Sequence, residues 1–188
     1  MECIESILKR RTIRRFKDTP VDNEKLNLIL KAAISAPSAH NEQPWDFLII
    51  NDRGKIKFLA EVLKEEYLKS GKATEKKAQS SYLSISSAPL IIVGFLNLKK
   101  LKDLSELEKI LGIQSLAASA ENILLASYCL GLGANWRAVP LVRPDIFKSL
   151  FNVPEHLVPQ WMILIGYPDQ QPKEKSINSE GIFHFNGW

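Results

Sequence analysis

The run PLIIVGFL, at positions 89–96, limits the fold more than any other part of the chain. It has the length of a strand and no polar residue on either of its alternating faces, so it has to be covered from both sides. WDFLII at 45–50 is a further compact apolar run, closed by the Asn51-Asp52-Arg53-Gly54 cluster. ANW at 134–136 and WMILIGY at 161–167 supply two more strands.

Helical periodicity fills the intervals. Ile4, Ile7 and Leu8 give a short amphipathic first helix. Asp22 stands where it can cap a second helix, in which Leu26, Ile29, Leu30 and Ala33 form one apolar stripe and Pro37 marks the close. Ile56, Leu59, Val62 and Leu63 fall in helical register, and the lysine-rich GKATEKKAQ reads as a solvated helix or mobile loop. A long helix is expected from about 112 to 130, stopped by GLG at 131–133, and a shorter one near 144–150. Helices and strands alternate without a strict βαβ rhythm, which points to a mixed α+β or three-layer sandwich. The tail is polar and then aromatic. Phe183, Phe185 and Trp188 anchor it to its own subunit or, at up to ~3.3 Å per extended residue, to another.

With 188 residues the chain is expected to form one domain over 1–188. Cys3 and Cys129 show no metal-ligand spacing, so free thiols and no metal are expected. Glu2 and Glu5 interrupt the opening and no long apolar core follows Arg10, which argues for a cytoplasmic protein without a leader. The apolar segment 115–134 carries Glu121 and Asn122 and reads as a buried helix rather than a membrane span.

Two polar stretches offer chemistry. KRRTIRRFK, at 9–17, holds four arginines and two lysines in nine residues. Arg10, Arg11, Thr12 and Arg14 suit an anion pocket, since guanidinium groups bind phosphate oxygens in pairs and the hydroxyl adds a donor. A solvated arm or a tail on a nucleic-acid backbone are the alternatives. Ile13 and Phe16, interleaved in the run, favour a packed segment. PSAHNEQPW, at 37–45, presents Ser38, Asn41 and Gln43 on a loop held between prolines, either a plain polar loop or a set of groups for the edge of a planar heterocycle.

Together, KRRTIRRF, APSAHNEQPWDFLII, GLGANW and the ending FHFNGW make the chain similar to the FMN-dependent nitroreductase family along nearly its whole length. The paired motifs at this spacing are specific where either alone is weak. The resemblance implies an α+β, three-layer α-β-α sandwich with a mixed, mainly antiparallel sheet. It also implies an intertwined homodimer whose C-terminal extension reaches the partner. FMN would be held noncovalently at two sites built from both subunits. By motif, Arg10 and Thr12 would meet the FMN phosphate, with Arg11 nearby, and Arg14 the ribityl chain and pyrimidine edge. Pro37, Ser38, Ala39, Asn41 and Gln43 form the loop that would serve the flavin, commonly that of the partner subunit. Backbone groups at Ala138 and Val139 match the contact to flavin N5. Lys175, or Lys173, would reach the phosphate from the tail.

Three departures stand out. Ala39 replaces a usual serine, Arg137 is unexpected beside the N5 position, and the 51–112 stretch is compact. What the resemblance implies is an NAD(P)H oxidoreductase, NADH or NADPH reducing FMN and a small electron acceptor then using the same face in ping-pong fashion. FMN carries the chemistry, so no catalytic side chain is required. Relatives that fragment flavin or dehalogenate aromatics, a flavin-binding protein without turnover, and a nucleic-acid-binding protein are the competing readings. Nucleic acid and membrane are not expected partners. His40, His156 and His184 have no partner spacing, Trp136 serves a core or a stacking role equally well, and GLG lacks the third glycine of a dinucleotide turn.

Overall fold

The computed structural model describes residues 3–71, 74–172, 176–178 and 180–187. The chain runs α1 (Cys3–Lys9), α2 (Asn23–Ile34), β1 (Trp45–Ile50), α3 (Arg53–Lys69), α4 (Glu75–Ser87), β2 (Leu90–Asn97), α5 (Glu106–Cys129), β3 (Gly133–Arg137), α6 (Val139–Val142), α7 (Pro144–Phe151) and β4 (Leu157–Gly166). The four strands lie in the order β1-β2-β4-β3, every neighbouring pair antiparallel. The one parallel pairing among the described residues is an isolated bridge between Thr12 and Ala134.

The central strand β2 is buried along its whole length, as its unbroken apolarity requires. Its alternate residues split between two cores. Ile91, Val93 and Phe95 join Met162 and Leu164 of β4 beneath α3, α4 and α7. Leu90 and Ile92 join Trp161, Ile163 and Ile165 beneath α2 and α5. This is the α-β-α sandwich, and the period of two along each strand divides it.

Gly94 is where this pairing departs from regularity. The β2–β4 register shifts between Gly94 and Phe95, and the Trp161 indole lies so close that a Cβ on Gly94 would meet it at 2.4 Å. Trp161 also neighbours Phe47 and Trp136, with ring centroids 6.0 and 6.2 Å away.

The helices differ from sequence expectation in three places. Asp22 sits at the N-cap of α2, yet its side chain makes no capping bond; its Oδ2 accepts from the Tyr167 hydroxyl at 2.8 Å. The long helix starts at Glu106, earlier than its apolar stretch suggests, because Ser105 caps it by accepting from the Glu108 amide. Several of its polar residues are buried: Ser115 and Ser127 donate to carbonyls one turn back, at 2.8 and 2.7 Å, which satisfies them inside an apolar helix. By length and composition α5 is apolar enough to cross a membrane, and here it packs on α2 and the sheet. The apolar stripe of α1 is the third difference: Ile4, Ile7 and Leu8 are all exposed, and only Ser6 of that helix is buried.

Candidate functional site

The basic run is fixed along the β3 edge of the sheet. Ile13 donates its amide to the Ala134 carbonyl at 3.0 Å, Lys17 donates to Tyr167 at 2.9 Å, and Asp169 donates back to Arg15 at 3.0 Å. Ile13 and Phe16 are buried in the core. These two anchors, three residues apart, hold the segment while Arg14 and Arg15 face outward. Gly133 permits the close approach, since a Cβ there would lie 2.6 Å from the Cβ of Ile13.

Two clefts open beside this segment. The first, of about 320 Å³, is bordered by Lys9, Arg10 and Arg11 on one side and by Tyr128, Gly131 and Gln170 on the other. Arg10 is mostly buried, and its Nε has no hydrogen-bond partner among the described residues; the nearest acidic atom, Glu121 Oε1, stands 3.7 Å away. An enclosed guanidinium nitrogen without a partner is an unmet donor, and a phosphate oxygen is the acceptor that fits it. Arg11 is used differently: its Nη1 donates to the carbonyls of Leu8 and Arg10 at 2.7 and 2.9 Å, closing the end of α1. Thr12 borders neither cleft and serves the bridge to Ala134.

The second cleft, of about 520 Å³, is lined by Arg14, Tyr67, Trp136, Arg137, Ala138, Val139 and Arg143 among others. Arg14 is exposed, and its amide is held by the Gln170 side chain at 2.9 Å. Ala138 and Val139 lie where β3 gives way to the short α6. Glu66 and Arg143 close one wall with a 2.7 Å ion pair, and Asp145 adds a second carboxylate at 3.0 Å. The hydrogen bonds that Arg143 donates to Asp145 and then to Glu66 hold its pKa above the ordinary value. Those from Arg143 and then Lys69 push the Glu66 carboxyl below its own. Burial pushes the Arg137 guanidinium below the ordinary arginine value, with Tyr67 opposing and Arg14 adding to the effect. Arg137 remains a cation at neutral pH.

The loop at 37–43 lies elsewhere. Ser38 Oγ accepts from the Gln43 amide at 3.1 Å, and Gln43 Nε2 donates to Asn41 Oδ1 at 3.2 Å. Ser115 Oγ accepts from the Ala39 amide at 3.2 Å. His40, Asn41 and Gln43 all have positive φ, at 51°, 56° and 50°, an arrangement that non-glycine residues seldom adopt. The loop feeds β1 at Trp45, which pairs with Leu96, whereas Thr12 lies level with Ala134 and Ile165 at the other end of the sheet. With four strand spacings and about six residue steps between them, the two motifs are separated by roughly 25 Å within one chain. Arg10, Arg11, Arg14, Ala138 and Val139 thus share one corner, and Pro37, Ser38, Ala39, Asn41 and Gln43 the diagonal one. Lys173 and Lys175 lie outside the described residues.

Tyr67, Glu66, Arg143 and Gln170 also border the clefts, and no motif singles them out in the sequence; Asn135, which lines the second cleft, lies within GLGANW, where the motif assigns it no role. Glu66 and Arg143 are 77 residues apart, and only the packing of α3 near α6 joins them. Gln170, in the DQQP stretch just after β4, was the more legible, since a polar turn leaving a strand beside the basic run is a natural contact.

The model described as the nitroreductase family matches residues 7–167. The chain belongs to the nitroreductase family. Among curated relatives, the "Putative NADH dehydrogenase/NAD(P)H nitroreductase" of Methanothermobacter thermautotrophicus is 32% identical over 192 aligned residues, covering 100% of this chain and 88% of that protein. The iodotyrosine deiodinase of Thermotoga neapolitana is 31% identical over 189 residues, covering 95% and 94% of the two. Among solved structures, "a putative nitroreductase in complex with FMN" from Desulfovibrio desulfuricans superposes with a TM-score of 0.81 at 26% identity, over 100% of this chain and 98% of that one. The nitroreductase fold, with its helices on both faces of the sheet, is therefore common to this chain and these relatives.

Proposed function

We propose that this nitroreductase-family chain is an FMN-dependent NAD(P)H oxidoreductase acting on a small electron acceptor, with 1–188 working as one FMN-binding domain. The observation that carries the reading is the buried Arg10 Nε, a guanidinium donor without a hydrogen-bond partner among the described residues, beside a cleft lined by Lys9 and Arg11. On this reading Arg10 holds the phosphate, with Arg11 beside it, while Thr12 serves by fixing the segment to Ala134. Arg14 holds the ribityl chain and pyrimidine edge, and the Ala138–Val139 backbone orients N5. FMN supplies the two-electron chemistry when bound. The protein's part is to bind it, orient it and place positive charge where the reduced ring gains electron density. The relative solved with FMN supports the choice of cofactor, and the names of curated relatives support NADH or NADPH as donor.

The diagonal separation of the two motifs supports a homodimer. A flavin at the basic corner is out of reach of Ser38, Asn41 and Gln43 of its own chain, and a second copy that brings its loop there completes the site. The exposed stripe of Ile4, Ile7 and Leu8, together with Ile177, Phe183 and Phe185 of the tail, offers apolar surface for that association. The basic run is pinned to the sheet edge, which favours this reading over a free arm for nucleic acid. A cytoplasmic setting suits NAD(P)H as donor.

The test is an absorbance spectrum of protein reconstituted with FMN, followed by anaerobic addition of NADH or NADPH. A retained yellow chromophore that bleaches supports the proposal; a colourless protein, or colour that neither nucleotide bleaches, overturns it. The similarity to an iodotyrosine deiodinase favours one second reading, reductive dehalogenation of an aromatic substrate at the same flavin. Halide release from an iodinated phenol, against reduction of a nitroaromatic or quinone, separates the two.

A further inference from the structure

Arg137 is the charged residue of the larger cleft that has neither a task in the reading above nor an ion pair among the described residues. It sits at the end of β3, on the face turned toward α3 and α4, directly before Ala138. Its Nη2 donates to Ser81 Oγ at 2.6 Å, its one hydrogen bond among the described residues, and it has no carboxylate partner there. The single carboxylate on the cleft wall, Glu66, is already held by Arg143 at 2.7 Å. Arg14, on the same wall, has no ion pair among the described residues either. Two guanidinium groups thus face one cleft without counter-charge among the described residues, and one of them, Arg137, is partly buried.

A buried cation is costly unless an anion or strong acceptors compensate it. A neutral hydroxyl such as Ser81 compensates it only in part. An anion from outside the chain would complete the compensation, and the side open to it is the cleft that Ala138 and Val139 border.

We propose that Arg137 is a partly buried electrostatic residue that raises the reduction potential of the bound flavin, by stabilising the negative charge the ring acquires on reduction. The inference rests on the FMN reading. Hydride transfer from NAD(P)H to FMN gives NAD(P)⁺ and a reduced flavin one negative charge richer than the oxidised form, with both electrons and the proton on the ring. A fixed cation in a cleft of low dielectric favours that product over the neutral oxidised ring, with no reorganisation at the moment of transfer. The oxidised flavin gains little from the same charge. Arg137 therefore acts on the difference between the two redox states rather than on cofactor affinity as such.

The experiment measures the midpoint potential of the FMN-loaded protein by anaerobic dye equilibration, beside the Kd for oxidised FMN, in the wild type and in Arg137→Met, Arg137→Gln and Arg137→Lys. Arg137→Met removes the charge at similar length, and Arg137→Gln keeps a donor for Ser81 if the methionine variant folds poorly. The expected result is that both uncharged variants bind oxidised FMN within about threefold of the wild type. Both should favour reduced over oxidised flavin on the order of tenfold less, a fall of about 30 mV for a two-electron couple, and Arg137→Lys should keep most of the wild-type potential. A change below threefold in the uncharged variants overturns the proposal. So does a lysine variant that falls as far as they do, because charge is then not the cause. A wild-type protein that holds no FMN defeats the cofactor reading itself, an outcome distinct from a loaded protein with an insensitive potential.

Discussion

Ile13 and Gly133 are in such close contact that a methyl group on the glycine would lie 2.6 Å from the Cβ and Cγ1 of the isoleucine. The contact holds the basic run against β3, since it sits directly beside the hydrogen bond from Ile13 to Ala134. Position 13 thereby sets where Arg10 and Arg14 stand.

Gly133→Ala is expected to destabilise the fold by about 1–3 kcal/mol, because the opposing atoms lie next to the Ile13 backbone and cannot rotate away. Urea denaturation of the FMN-free protein measures this. On the proposed reading FMN affinity falls as well, since the arginines are displaced together. Wild-type stability in this variant would show that the two segments are not fixed to one another.

Arg10→Ala separates binding from folding. Its acidic neighbour Glu121 is 3.7 Å away and its side chain is about half exposed, a pairing of a kind that contributes at most ~1 kcal/mol. The urea midpoint should therefore move little. FMN binding, followed by quenching of flavin fluorescence, should weaken by about 1.5–3 kcal/mol, the range for a hydrogen bond to a charged group. Equal FMN affinity in variant and wild type would remove Arg10 from the phosphate site.

Subunit mixing tests the shared site. Asn41→Gly deletes the loop amide at a residue whose φ of 56° suits glycine, and Arg10→Ala disables the other corner. Each variant alone should bind FMN poorly. Unfolding and refolding the two together should restore one intact site in each mixed dimer, because Arg10 of one chain then meets Asn41 of the other. No recovery on mixing, with both variants refolded and dimeric, would place the whole site within one chain.

The Arg143 clasp should respond to acid. Arg143 and Lys69 hold the Glu66 carboxyl below its ordinary pKa, and Arg143 does the same for Asp145. A depressed folded-state pKa means stabilisation that is present above the ordinary carboxylate range and lost as pH falls through the depressed values. Arg143→Met should therefore be less stable than wild type at pH 7, by a small margin because the carboxylates are solvated, and the gap should narrow as pH is lowered through and below the ordinary carboxylate range, for example from pH 7 to pH 3. Urea midpoints at the two pH values check this; an equal gap at both would show that the clasp does not act through charge.

Much of the fold was legible because strand burial leaves an unmistakable mark. An unbroken apolar run such as 89–96 fits only a central strand, and WDFLII, ANW and WMILIGY each fall on an observed strand. The start of α5 was less legible, since its first turns are polar and a serine cap defines them. Asp22 misled because a carboxylate at an N-cap position has other acceptor tasks, here for Tyr167. At the site, Arg10 and Arg14 could be picked out because arginine-rich order around a threonine has few structural uses. Tyr67, Glu66 and Arg143 could not, because their meeting depends on the packing of α3 near α6, which no local pattern records. The loop at 37–43 was visible as a motif, while its distance from the basic run follows only from the strand order.

That distance also bears on how activity should scale with concentration. If each flavin needs an arginine corner from one copy and an amide loop from another, a separated chain holds two incomplete halves and no working site. Dilution below the dimer dissociation constant would then extinguish activity rather than halve it, and cofactor release and subunit separation would form one linked equilibrium. FMN would then tighten the assembly by mass action, and the assembly would tighten FMN.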